Sequence, residues 1–215
     1  MRVAKFGHSC LLVEAASGTR ILIDPGVFSQ IPDAVMTEKI DAVLITHSHA
    51  DHISEELLQK IQAAHTGIPV YASADIVSQL AAKNISSTDH TFTNFEVAGV
   101  KIEVLSAPHD AVLGPVPENA AYRIDGELMI TGDSTAQSLD TWRGTRLLAL
   151  VTIAPWGARP GLAALIDRIT PKMVFPVHDG FVKEDFLGWQ DATYKTYAEA
   201  RGVTYTVVGS VLQEI

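Results

Sequence analysis

The 215-residue chain has 47% hydrophobic and 19% charged residues, one cysteine and a formal net charge of −9. That apolar share suffices to bury a core, which excludes disorder, and the length fits a single domain over 1–215. An acidic chain without a Lys/Arg cluster is a poor partner for nucleic acid, a lone Cys10 cannot form an intrachain disulfide, and no apolar stretch is long enough for a membrane span.

In chain order, 3–6 and 9–14 are short apolar runs separated by Gly7, followed by a turn over 15–19 and a β-branched run at 20–23. Asp24-Pro25 stops that strand, because proline cannot donate to a ladder. Residues 42–45 read as a buried strand running into Thr46-His47. Ser54 followed by Glu55 and Glu56 is a helix start, so the pattern predicts a helix over 54–64. A strand at 70–72 and a helix at 74–82 follow. Strands are predicted at 100–105, 120–124 and 128–131, the last two joined by a hairpin with an Asp125-Gly126 signal. Residues 147–153 read as a strand, 162–169 as a helix, 173–177 as a strand, 194–201 as helical and 205–208 as a closing strand. Periodicity alone supports a mixed α/β domain.

The chemistry concentrates in Thr46-His47-Ser48-His49-Ala50-Asp51-His52, with three imidazoles and a carboxylate in six residues directly after a buried strand. Neutral imidazole and carboxylate suit zinc, iron or manganese. One loop cannot surround two ions, so further donors are expected downstream. His109 in Ala107-Pro108-His109, Asp133 in Thr131-Gly132-Asp133 and His178 in Pro176-Val177-His178 each follow a predicted strand beside Gly or Pro. Four candidates in six residues, with three more at strand ends, make a histidine-rich polar turn a poor explanation.

This pattern, His-x-His-x-Asp-His and then His, Asp and His, resembles the metallo-β-lactamase superfamily. Phe6-Gly7-His8-Ser9-Cys10-Leu11-Leu12-Val13, Leu22-Ile23-Asp24-Pro25-Gly26 and Ala154-Pro155-Trp156-Gly157 look most like its branch containing ascorbate-6-phosphate lactonase and N-acylphosphatidylethanolamine phospholipase D. The resemblance implies an α+β fold, a four-layer αββα sandwich of two mixed sheets flanked by helices. It implies that His47, His49 and His109 hold one metal, Asp51, His52 and His178 a second, and that Asp133 bridges them. It further implies two divalent ions, Zn2+ first with Mn2+ or Fe as alternatives, and a hydrolase attacking a small lactone, thioester or phosphodiester with a hydroxide shared by the ions. Asp51 is both a ligand and the nearest carboxylate able to handle a proton.

His8 reads equally as a packed strand-start residue and as a catalytic group at the site rim. Asp24 reads as a partner that fixes a ligand imidazole. Asp110 and Asp179 read as solvated turn residues, Trp156 as ordinary loop packing, and Arg159 as either a solvated charge or an anion contact. His65 and His90 receive no role, and Cys10 is a small buried hydrophobe. Two rival functions share the ligand pattern: a non-hydrolytic di-iron redox protein and an inactive metal-binding regulatory module. An N-terminus without signal-peptide character predicts a cytoplasmic protein and disfavours a secreted antibiotic-degrading enzyme. The chain is short for transfer-RNA-processing or glyoxalase-type members, and this compactness suggests an open site or one completed in a homo-oligomer.

Overall fold

The computed structural model describes residues 1–215. Its first half runs β1 (Arg2–Lys5), β2 (Leu11–Glu14), β3 (Arg20–Ile23), α1 (Asp33–Thr37), β4 (Ala42–Leu44), α2 (Glu55–Ala64), β5 (Val70–Ala72), α3 (Ala74–Ala81) and β6 (Thr88–Asp89). The second half runs β7 (Phe95–Val97), β8 (Val100–Ser106), β9 (Ala120–Ile124), β10 (Leu128–Ile130), a 3-10 turn (Gln137–Trp142), β11 (Leu147–Val151), α4 (Arg159–Ile169), β12 (Met173–Val177), α5 (Glu184–Glu199), β13 (Thr204–Tyr205) and β14 (Gln213–Glu214). The strands form two seven-stranded sheets, in the orders β14-β1-β2-β3-β4-β5-β6 and β13-β12-β11-β10-β9-β8-β7, so each half builds one sheet except that the C-terminal β14 crosses back to edge the first.

Both sheets are mixed in the same way. Strands β1 to β3 are antiparallel and β3 to β6 parallel; β7 to β10 are antiparallel and β10 to β13 parallel. Alternation along the strands sorts their side chains into layers. Leu11, Val13, Ile21, Ile23 and Leu44 face the second sheet and meet Ile102, Tyr122, Ile130 and Phe175. Leu12, Leu22 and Val43 point the other way, onto Leu58 and Ile61 of α2 and Ile76 and Leu80 of α3. Met129, Leu148 and Val174 likewise pack on Leu165, Ile166 and Ile169 of α4 and Tyr194 and Ala198 of α5. The result is the expected αββα sandwich.

Several boundaries differ from those read in the sequence, for local reasons. Helix α4 starts at Arg159, three residues early, because Pro160 is tolerated in a first turn where no amide partner is needed. Helix α5 starts at Glu184, because its buried stripe is Gln190, Tyr194 and Ala198, and a glutamine hides the apolar period. The strand expected to reach 208 pairs only over Thr204–Tyr205. Asp125 and Gly126 have φ of 52° and 68°, left-handed values that this Asp-Gly pair accommodates in the three-residue connection 125–127 between β9 and β10.

Candidate metal centre

All seven candidate ligands sit at or beyond the carboxyl ends of strands, on one edge of the sandwich. The loop after β4 delivers His47, His49, Asp51 and His52, while His109, Asp133 and His178 follow β8, β10 and β12. Backbone bonds sew the two sheets together here. Ala120 N–H donates to Thr46 O at 2.8 Å and His178 N–H to His8 O at 3.1 Å, while within the second sheet Asp110 N–H donates to Asp133 O at 2.8 Å. Gly26 must be glycine, since a Cβ there would lie 1.9 Å from the Asp51 carbonyl oxygen. His8, Asp24 and His178 adopt left-handed φ values of 50°, 47° and 67°, a strained conformation for such residues that accompanies functional positions.

The donors form two groups, His47, His49, His109 and Asp133, and His8, Asp51, His52 and His178, with ligand-type atoms within 4.8 Å of one another in each. Asp133 reaches both. Its Oδ2 lies 3.6 Å from His109 Nε2 and 3.1 Å from His178 Nε2, and its Oδ1 lies 3.2 Å from His52 Nε2. Asp51 Oδ2 is 3.5 Å from His178 Nε2 and 3.1 Å from His8 Nε2. The sequence therefore brings all seven predicted ligands together and places His8 among them.

The outward partners decide which nitrogen of each neutral ring holds the lone pair. A carbonyl only accepts, so His109 Nδ1–H donates to Asp110 O at 2.5 Å and His178 Nδ1–H to Ile153 O at 2.6 Å. Asp24 Oδ2 accepts from His52 Nδ1–H at 2.8 Å, and is itself held by Thr46 Oγ1–H at 2.7 Å. In each ring the Nε2 lone pair is then aimed inward. The Nε2 atoms of His52, His109 and His178, with Asp133 Oδ1, are buried and have no hydrogen-bond partner in the protein. Buried polar atoms are normally paired, and these four converge, so the set fits divalent cations. Asp24 thus fixes the imidazole of His52, one of the candidate ligands.

His8 behaves differently. Its Nδ1 accepts the Gly180 N–H at 3.1 Å, so the neutral ring carries its proton on Nε2 and donates it to Asp51 at 3.1 Å. His8 is both buried and part of the site, joining the two readings that the sequence kept separate.

Electrostatics follow from burial and the carboxylates around each ring. Burial pushes His47 well below its ordinary value, and lowers His49 and His8 too. Burial also disfavours charge on His52 and His178, but Asp133 and Asp24 outweigh it at His52, while Asp133 and Asp51 lift His178 to about 9. Burial would raise Asp51 and Asp133, yet the surrounding imidazoles hold both well below the usual carboxylate range. The cavity walls thus carry ionised carboxylates that call for positive charge between them.

Several expectations need correction. Asp179 is not a solvated turn residue: it is 9% exposed and pairs with Lys5 Nζ at 2.5 Å, bracing the loop that carries His178. Asp110 caps the Thr135 N–H and hydroxyl at 2.6 and 3.0 Å. Trp156 does more than pack its loop, since Nε1–H donates to Asp133 Oδ2 at 2.7 Å and its ring meets His109 and His178 edge-on. Arg159 stacks on Trp189 and bonds Gln190, with no contact to the cluster. Asn119 escaped the sequence reading altogether. Its amide donates to Ala107 O and Thr131 O at 2.9 and 3.0 Å and its Oδ1 accepts the Asp133 N–H at 3.2 Å, so it clamps the ends of the strands bearing His109 and Asp133. It sits beside Pro117, Glu118 and Ala120 with no motif around it, and only its burial singles it out. His65 and His90 lie outside the cluster. Cys10 is buried, which pushes its thiol up to about 12 and makes it inert.

Comparisons with known proteins place the family and the fold. The sequence model of the beta-lactamase superfamily domain matches residues 2–178. The chain is 27% identical to protein Rv0786c of Mycobacterium tuberculosis, over 87% of this chain and 88% of that one. It is 30% identical to a UPF0173 metal-dependent hydrolase of Methanopyrus kandleri, over 84% of each. In structure it is similar to Igni18, described as a metallo hydrolase from Ignicoccus hospitalis, with a TM-score of 0.77, 24% identity, and coverage of 100% of this chain and 98% of that one.

Proposed function

The chain belongs to the beta-lactamase superfamily, and from that premise and the donor geometry we propose that it is a metal-dependent hydrolase with two divalent ions acting on a small ester-like substrate. The substrate is a lactone, thioester or phosphodiester, and zinc is the metal, with manganese or iron as alternatives. His47, His49 and His109 hold one ion, Asp51, His52 and His178 the other, and Asp133 spans the pair. The reading is carried by one observation: three imidazole nitrogens and a carboxylate oxygen, buried and unpartnered, point at one another while every outward nitrogen of those rings is held. When bound, the ions supply a nucleophile near neutral pH and polarise the scissile oxygen.

The protein's own groups do the rest. His47, His52, His109, Asp133 and His178 are buried, whereas His49 and Asp51 are half-buried, so substrate reaches the centre from the side of these two. Asp51 is the catalytic carboxylate: His8 Nε2–H occupies Oδ2, leaving Oδ1 to take and return a proton. His8 keeps that carboxylate in place, and Trp156 steadies Asp133 from the opposite side.

The test is metal analysis of anaerobically purified protein, followed by a panel of lactones, thioesters and phosphodiesters with zinc-, manganese- and iron-loaded protein. Hydrolysis of one class is expected, and His49→Ala and Asp133→Ala each lose metal and at least about 100-fold in kcat/KM. Iron with redox turnover and no hydrolysis would replace this reading with the di-iron one. Full metal and activity in both variants would overturn the ligand assignment.

A further inference from the structure

Nine large apolar side chains are exposed, and five of them lie on three loops that directly follow site residues. Val27 and Phe28 follow Asp24, Leu113 and Val116 follow His109, and Phe181 follows His178. A monomer's exposed apolar residues are ordinarily scattered, and a cluster around a cleft marks a binding surface.

Phe28 and Phe181 touch the centre itself. Their rings lie 5.4 and 5.3 Å from the His8 ring, and Phe181 lies 5.5 Å from His178. The two phenyl groups are 6.4 Å apart at 62°, and they are 40% and 42% exposed. With His8 they form a corner, closed on the protein side and open to solvent, beside the half-open Asp51. The corner is preorganised. The Phe28 loop is pinned by Val27 N–H to Ala50 O at 2.8 Å and by Gln30 N–H to Phe6 O at 2.6 Å. No lysine or arginine pairs with a cluster residue: Lys5 is committed to Asp179 and Pro176 O, and Arg159 lies on Trp189. Lys183 is exposed two residues beyond Phe181 without an ion pair.

We propose that the substrate carries an uncharged apolar arm, an acyl or aryl group, that packs against the exposed faces of Phe28 and Phe181 while its scissile group lies over Asp51. This deepens the hydrolase reading and rests on it. An apolar arm gains dispersion contacts and burial there, whereas an anionic arm would leave water for phenyl faces with only the solvent-exposed Lys183 of the same loop to answer its charge.

The test uses the zinc-loaded full chain and a series of straight-chain thioesters from acetyl to octanoyl. The expected kcat/KM rises up to about fourfold per added methylene, since each buried CH2 is worth about 0.8 kcal/mol. Phe28→Ala and Phe181→Ala each flatten that series, Phe181→Leu keeps part of the slope, and Val211→Ser, at an exposed valine far along the chain, keeps all of it. Calorimetric titration with the matching carboxylates reads the same slope without turnover, and the leucine variant serves if an alanine variant fails to fold. Hydrolysis with no length dependence, or a slope that both alanine variants leave intact, overturns the apolar corner and spares the hydrolase reading. A carboxylate slope lost in the alanine variants, with no turnover of any ester, supports the corner and overturns the hydrolase reading.

Discussion

At the scale of single residues, the decisive information lies in which ring nitrogen is spoken for. His52, His109 and His178 each commit Nδ1 outward, to Asp24 and to two backbone carbonyls, and so present Nε2. His8 commits Nδ1 to the Gly180 amide as an acceptor, so its Nε2 carries hydrogen and cannot ligate while that bond stands. The expected outcome for His8→Asn is therefore full metal content with kcat/KM lower by about 10- to 100-fold, as for other residues that orient a metal ligand. Metal analysis alongside kinetics checks it, and loss of about half the metal would make His8 a ligand instead. The ligand candidates were legible in the sequence because each is a polar residue stranded at the end of an apolar run. Asn119 and Trp156 were not, since an amide and an indole carry meaning only through the atoms they meet, Asp133 in both cases.

At the scale of elements, the central strands were legible and the margins were not. Strands β3, β5, β9 and β12 match the sequence reading residue for residue, because buried strands advertise themselves as β-branched and apolar runs. Strands β6 and β14 are two residues each and are held by their neighbours rather than by their own preference. Helix α5 was read ten residues short because Gln190, which donates to Thr152 O, occupies its buried stripe. His90, just beyond β6, shows what such an edge costs. It is 4% exposed, its Nδ1 accepts the Phe92 N–H at 3.0 Å, and its Nε2 is unpartnered near Tyr122. Burial pushes its pKa down to about 4. The unfolded chain takes up this proton near pH 6.5 and the folded chain only near 4, so folding stability is full above 6.5 and declines towards 4. The loss reaches at most about 3 kcal/mol. Asn at position 90 keeps an acceptor where Nδ1 stood and has no such titration. Urea unfolding of the wild type and His90→Asn should thus diverge between pH 6.5 and 4, the wild type losing more, and parallel curves would refute the assignment.

At the scale of the whole molecule, the centre is the seam between the two sheets. The first sheet supplies the loop from His47 to His52, and the second supplies His109, Asp133 and His178. Pattern along the chain could establish strands and helices but not this order, because strands distant in sequence pair across crossovers; the fold was legible only through the spacing of the ligands. A cation held at the seam would join the halves, so its binding would add to folding free energy, about 4 kcal/mol when the free ion exceeds its Kd by about 1,000-fold. Its pH dependence is set by what the cations displace. Without metal, Asp133 and Asp51 hold a proton on His178 up to about pH 9, against the effect of burial. That protonated pair stabilises the chelated protein fully below about pH 6.5 and is lost as pH rises towards 9. A cation needs the same Nε2 lone pair, so it must expel the proton, and apparent affinity climbs about tenfold per pH unit for each proton expelled. The melting-temperature gap between zinc-loaded and chelated protein should therefore widen from about pH 6.5 to 8.5. Zinc titrations in two buffers of different ionisation heat should report at least one proton released at pH 7.5. A constant gap with no proton release would mean that His178 is already neutral and that the carboxylates around it are paired in some other way.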